Sequence, residues 1–204
     1  MKILYFTFLL VISLTIQAFS QGTNTGTGKY KLKSGIVTYS TEIMGMKQTV
    51  TQCFDEYGVK EMISIVATMD IGAGDPVQVN NVVINKDGFV YSVDMVRKEG
   101  TKTKQSTELG PSNMDFSKVD ETTLASMNMK KDGSGVVMGK NCDKFSMDSN
   151  GIKATFWVWN GLALKTVMNA MGMETTMEVT KLEENVKIPA SKFEIPADVK
   201  ITDL

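Results

Sequence analysis

Methionine is the residue type whose number and spacing are most suggestive of chemistry in this sequence. The chain holds 15 methionines, and several of them recur two or three positions apart. The closely spaced ones are Met44 and Met46, and Met168, Met171 and Met173. Thioether sulfur is soft and suits Cu(I), and residues two apart on a strand share a face, so two or three sulfurs could surround one ion. Methionine side chains also line adaptable apolar binding surfaces, or simply fill a core.

The two tryptophans lie in a predicted strand that carries large apolar side chains on both of its faces. Trp157 and Trp159 fall on one side of it, whereas Phe156 and Val158 fall on the other. A strand with apolar residues on both faces is normally covered on both. We therefore predict an apolar site lined by Met44, Met46, Met168, Met171, Met173, Trp157 and Trp159. The alternatives are that the indoles belong to the core, or that one of them anchors a partner protein.

The two cysteines after the N-terminal segment allow two interpretations. Cys53 and Cys142 could form one disulfide in an oxidising compartment, where it would close a long loop. They could equally be two independent buried thiols, because free cysteine packs as a small hydrophobic residue.

The residue types needed for catalysis are scarce. The chain has no histidine, which removes the commonest general base and the usual zinc ligands. The adjacent carboxylates Asp55-Glu56 and Glu183-Glu184 would point to opposite faces of a strand. There is no glycine-rich phosphate loop and no nucleophile elbow. We therefore predict a protein that is not an enzyme and that has no cofactor and no metal site built from histidine and cysteine.

Strands and turns must position these residues, because the hydrophobic pattern alternates along most of the chain. Turn signals at Asp87-Gly88, Asn150-Gly151 and Asn160-Gly161 predict hairpins between the flanking strands. The predicted strands are 37–43, 48–54, 59–69, 77–84, 89–96, 136–138, 142–148, 152–159, 162–168 and 173–182. One helix is predicted to begin at a capping box, Ser117 to Asp120, and to end at Gly133.

The N-terminus has the layout of a secretory signal peptide. Lys2 precedes an uncharged, mostly apolar run from Ile3 to Ile16, and small residues stand at Ala18 and Ser20. We predict a signal peptide over 1–20, a flexible leader over 21–29 and a single β-rich domain over 30–204. The run is short for a membrane anchor, so we expect the mature chain to be periplasmic or secreted and not membrane-spanning.

The charge balance argues against nucleic acid as a partner. The formal net charge is −1, and the only arginine is Arg97, so no basic stripe is present to bind phosphates.

Several stretches resemble a family of exported proteins of unknown function that is common in Bacteroidetes. They are the Met-Gly-Met repeats, 54–58 (FDEYG), 139–143 (GKNCD), 156–165 (FWVWNGLALK) and 192–196 (KFEIP). The ending 193–201 (FEIPADVKI) is also similar to the closing strand of the LolA/LolB-like lipoprotein carriers.

The likeness to the carriers implies an α+β fold with a large curved antiparallel sheet, a half-open barrel covered by one or a few helices. The concave face of this sheet, rich in methionine and aromatic side chains, is then predicted to hold an apolar ligand, either a lipid or an acylated protein, in a non-catalytic role. Cu(I) binding by methionine and a pure protein-interaction module are the alternative functions.

Overall fold

A computed structural model describes residues 28–43, 46–69, 76–105, 115–116, 118–149 and 151–204. The predicted signal peptide and most of the predicted leader lie outside these ranges, as do Met44 and Ser117. None of the helices in the described ranges is both long and apolar enough to cross a bilayer.

The described residues form twelve strands in one sheet. The strands are β1 (Gly35–Ile43), β2 (Met46–Asp55), β3 (Lys60–Met69), β4 (Val77–Lys86), β5 (Phe89–Asp94), β6 (Glu99–Lys104), β7 (Met129–Val137), β8 (Lys140–Ser149), β9 (Ile152–Trp159), β10 (Leu162–Ala170), β11 (Met173–Glu184) and β12 (Lys200–Asp203). Their order across the sheet is β12-β6-β5-β4-β3-β2-β1-β11-β10-β9-β8-β7.

The sheet consists of two antiparallel meanders joined through β1 and β11. The first meander runs from β1 to β6 and the second from β7 to β11. Among the twelve described strands only β12 pairs in parallel, along β6. The ends of the sheet, β7 and β12, do not pair with each other, so the sheet stays open. A twisted sheet of this size curls rather than staying flat. The predicted fold class, a large curved antiparallel sheet with a helical addition, is confirmed.

Tight turns set the register of the hairpins. Asp87-Gly88 and Asn160-Gly161 both have positive φ at each position, 53° and 78° in the first and 52° and 85° in the second. Met138-Gly139 and Met171-Gly172 have the same signs. Two left-handed residues define the turn whose twist matches that of paired strands, and glycine adopts the second position without strain. The predicted hairpins at Asp87-Gly88 and Asn160-Gly161 are confirmed; Asn150 lies outside the described residues.

The helix is shorter than its sequence pattern predicts. Helix α1 covers only Glu121–Ser126, and its N-cap is Asp120, whose carboxylate accepts a hydrogen bond of 2.7 Å from the Thr123 amide. The prediction that the helix ends at Gly133 is wrong, because Gly133 lies inside β7. The chain leaves the helix at Asn128, where φ is 53°, and pairs at once with β8.

Both faces of the sheet are covered near its middle. On one face the central cluster includes Val37, Phe54 and Leu164, all fully buried. On the other face of β1–β5, register neighbours form a continuous row of apolar side chains. That row is Ile36, Cys53, Met62, Ile84 and Tyr91. The C-terminal segment covers it with Ile188 and Phe193. Helix α1 packs with Phe145 and Phe156 in a third cluster.

Candidate functional site

An open cavity of about 440 Å³ lies over the last strands of the first meander. Its lining comes from β3, β4, β5, β6 and β12, together with the turn that carries Arg97. Ligand pockets in proteins typically measure about 300–1,000 Å³, so this cavity is large enough for a small molecule or for part of a larger one.

Two rows of register partners cross these five strands on the cavity face. The first row is Ile65, Asn81, Asp94, Glu99 and Lys200, and the second is Ile63, Val83, Ser92, Thr101 and Thr202. All of these residues except Ile63 line the cavity. Both rows begin with buried aliphatic side chains on β3 and become polar toward the β12 edge. The floor is therefore amphipathic: it is apolar on one side and charged on the other.

The charged side carries two ionic groups that have no ionic partner among the described residues. Glu99 and Lys200 stand directly opposite each other on β6 and β12. Both residues are exposed. Within the described residues, neither side chain takes part in a hydrogen bond or an ion pair. Asp94, in contrast, accepts hydrogen bonds of 2.9 Å from the amides of Val96 and Arg97.

A buried polar network stands on the same face of the sheet, at the other end of β3. The side chain of Glu61 is completely buried, and its carboxylate accepts hydrogen bonds from Tyr30 Oη at 2.5 Å, Gln52 Nε2 at 2.6 Å and Asn85 Nδ2 at 3.1 Å. Lys29 Nζ lies 2.7 Å from Glu61 Oε2. The carboxylate thus has the donors and the counter-charge that a buried anion needs.

Tyr39 extends this network, and burial together with the nearby Glu61 carboxylate raises its pKa well above the ordinary value of 10. Its hydroxyl donates a hydrogen bond of 2.9 Å to Gln52 Oε1. The pKa of Tyr30 is raised for the same reasons, burial first. In the unfolded chain both tyrosines lose their protons near pH 10, whereas in the folded protein they keep them to higher pH. The contribution of these groups to the free energy of unfolding is therefore complete below pH 10 and is lost as the pH rises above 10.

We expect the free energy of unfolding to fall above pH 10, by up to about 1.4 kcal/mol per pH unit for each of these tyrosines. Urea unfolding at pH 9, 10 and 11 measures this slope. The Tyr39→Phe variant should show a shallower slope than the parent protein, since one of the two groups is gone. Equal slopes would contradict a buried, proton-retaining Tyr39.

The methionines predicted to line one site are distributed over different parts of the structure. Met46 packs against Ala67 and Val79, whereas Met168 packs into the cluster beneath helix α1. Met171 is 93% exposed and Met173 is 49% exposed, at the β10–β11 turn. Met44 lies outside the described residues. None of the four described methionines lines the 440 Å³ cavity.

The two tryptophans are half-buried against the central cluster and also lie outside that cavity. Lys140 Nζ stands 4.3 Å from the centre of the Trp159 ring, and Lys144 and Lys165 each stand 5.7 Å from that of Trp157. These lysines are themselves paired with carboxylates, for example Lys165 with Glu178 at 2.7 Å. The stems of these lysines on β8 and β10 therefore cover the two indoles of β9, and the cation–π contacts help to hold the three strands together.

Both cysteines are buried and carry free thiols. Cys53 lies in the cluster beneath the C-terminal segment, whereas Cys142 belongs to the central cluster. Burial raises the pKa of both thiols, so they remain protonated and unreactive near neutral pH. In the part of the chain that the structure describes, no group of three histidine, cysteine or acidic side chains could hold a metal ion.

Sequence reasoning missed the Glu61 network, although one signal for it was present. Glu61 is in phase with Ile63 and Ile65, so the alternation of β3 places a carboxylate on the apolar face. An acidic residue at such a position needs partners, but its four partners come from three other segments that no local pattern connects to it.

Comparison with known proteins shows the fold alone. Neither a protein-family model nor a curated protein matches the sequence. The sheet is similar to an uncharacterised conserved protein from Thermus thermophilus, with a TM-score of 0.55 and 8% identity over 85% of this chain and 92% of that one. Two further structures align with TM-scores below 0.5, and we draw no conclusion from them. They are PNGF-II (0.47, 19% identity, 84% of this chain and 31% of that one) and MucB in complex with MucA(peri) (0.46, 12% identity, 94% of this chain and 62% of that one).

Proposed function

We propose that the chain is an exported, non-catalytic binding protein that holds an amphiphile, a lipid or the acyl chain of an acylated protein, against its open sheet. The observation that carries this proposal is the cavity of about 440 Å³ with its apolar-to-charged floor. Ile65 and Val83 line the apolar end of the cavity and are 2% and 7% exposed, so a hydrocarbon chain would contact only their outermost atoms. Each CH₂ group of the ligand that is buried there stabilises the complex by about 0.8 kcal/mol. The absence of histidine supports a non-catalytic role.

The open topology supports the same role. Because β7 and β12 do not pair, no described strand covers the β12 edge, which contributes Lys200 and Thr202 to the cavity lining. The buried Glu61 network and the central cluster keep the neighbouring strands in place. A preformed site of this kind binds ligand without the cost of ordering a loop.

Native mass spectrometry of protein purified without detergent is the test. We expect a reproducible mass excess that corresponds to a lipid or acyl chain, and we expect dodecyl-chain probes, added below their micelle concentration, to displace it. A Ser92→Phe substitution places a ring in the cavity and should weaken probe binding at least tenfold, about 1.4 kcal/mol.

A matched control comes from β9, where Thr155 is half-buried and remote from the cavity lining. Thr155→Phe should bind the probes like the parent protein. If the parent protein carries no excess mass and binds no dodecyl probe, the proposed function is wrong.

Cu(I) binding is a second candidate because Met171 and Met173 present two exposed thioethers on one turn. Thioether sulfur is a ligand for Cu(I). The same mass spectra would then show an excess of one copper ion that a Cu(I) chelator removes, and Met171→Leu with Met173→Leu would abolish it. An unchanged copper excess in this double variant would contradict a site on this turn.

A further inference from the structure

We propose that the cavity selects a zwitterionic head group, so that the ligand is an amphiphile carrying both a negative and a positive charge at its polar end. This inference rests on the proposed function, because the same cavity holds the apolar chain. Its basis is the two opposite charges of Glu99 and Lys200, at the β12 side of the cavity floor, which have no ionic partner within the described ranges.

Two neighbouring pairs on or next to the same strands differ from Glu99 and Lys200. Lys102 and Asp203 are also register partners on β6 and β12, and they form an ion pair of 3.4 Å. Lys98 and Asp198, just before the two strands, form another of 3.2 Å. Glu99 and Lys200 occupy the same kind of cross-strand position but line the cavity, and neither forms an ion pair with a described residue. They are therefore available to a ligand that supplies both counter-charges.

Arg97 adds a second cation at the same side. Its Nε lies 3.7 Å from Asp94 Oδ2, and its side chain is 68% exposed, so most of the guanidinium donors remain available. A guanidinium offers a planar fork that matches phosphate or carboxylate oxygens. Lys200 and Arg97 would accordingly bind the anionic group of the ligand, and Glu99 would bind its cationic group.

The position of the charges fixes the orientation of the ligand. Four strand spacings separate Ile65 from Lys200 along the first row, about 19 Å along the sheet surface. The apolar chain would lie over the β3 and β4 side chains and the head group over β6 and β12. In the reverse orientation, the hydrocarbon chain would desolvate the unpaired Glu99 and Lys200 without replacing their hydration, which is unfavourable.

The experiment compares three probes with the same dodecyl chain, each below its micelle concentration: dodecylphosphocholine, dodecyl phosphate and dodecyltrimethylammonium. Isothermal titration calorimetry on the parent protein should rank the zwitterionic probe first, by about five- to tenfold. Lys200→Gln should lower affinity for the phosphate probe and spare the ammonium probe. Glu99→Gln should do the opposite. Lys130→Gln and Glu121→Gln, exposed changes outside the cavity, are the matched controls.

The outcomes separate this inference from the proposed function. Equal affinity for the three probes, unaffected by either cavity substitution, would overturn the zwitterion inference while leaving an amphiphile-binding cavity. Failure of all three probes to bind would overturn both. Phosphocholine without a chain tests the source of the affinity: it should bind far more weakly than dodecylphosphocholine, and equal binding would show a site for a free polar molecule instead.

Discussion

Replacing Lys29 by methionine is expected to lower the free energy of unfolding by about 3–5 kcal/mol. Lys29 Nζ and the Glu61 carboxylate lie 2.7 Å apart, with the side chains 10% and 0% exposed. Methionine preserves the length and apolar stem of lysine but removes the ammonium group. The Glu61 carboxylate would then be buried with three hydrogen-bond donors but without a counter-charge, which is the costly way to break a buried pair.

Urea unfolding of the Lys29→Met variant measures this effect, and Lys60→Met is its matched control. Lys60 pairs with Glu56 at the same distance, 2.7 Å, but both side chains are about half exposed. Exposed pairs contribute about 0–1 kcal/mol, so the control should lose little stability. Similar small losses in the two variants would show that water reaches Glu61 and that the pair is not an essential part of the fold.

The strands and the hairpins could be predicted from the sequence because their signals are local. Alternation in 152–159 and the Asn160-Gly161 turn identify β9, its neighbour and their connection within a few residues. The short extent of helix α1 follows from competition: Met129 and the residues after it pair with β8, and strand pairing there outweighs the weak helical pattern. Gly133 accordingly sits in a strand rather than at a helix end.

The cavity could not be predicted, because its lining arises from the order of strands across the sheet. Lys200 is about a hundred residues from Glu99 in sequence, yet the parallel pairing of β12 with β6 places the two side by side. The sequence pattern instead drew attention to methionines, which are conspicuous by composition. Their spacing does not determine which cluster each side chain joins: Met168 packs beneath helix α1, whereas Met171 is at an exposed turn.

Residues 29–31 pack so closely against the β9–β10 turn that only glycine fits at position 161. The Lys31 amide donates a hydrogen bond of 2.9 Å to the Asn160 carbonyl, and the Tyr30 amide donates one of 3.0 Å to the Tyr57 carbonyl. This places the Lys29 carbonyl oxygen where it would overlap a Cβ atom on Gly161. The obstacle is backbone, which cannot rotate away as a side-chain end can.

Gly161→Ala is therefore expected to lower the free energy of unfolding by about 2–5 kcal/mol, of which left-handed strain at φ 85° accounts for about 1–2 kcal/mol and the steric overlap for about 1–3 kcal/mol. Gly151→Ala is the control, because Gly151 also follows an asparagine, has φ 78° and would place its Cβ in open space. The control should show the strain alone. Since Gly161 holds the segment that brings Lys29 to Glu61, Gly161→Ala combined with Lys29→Met should cost less than the sum of the two single changes, and full additivity would mean that the packing at Gly161 and the buried ion pair are independent.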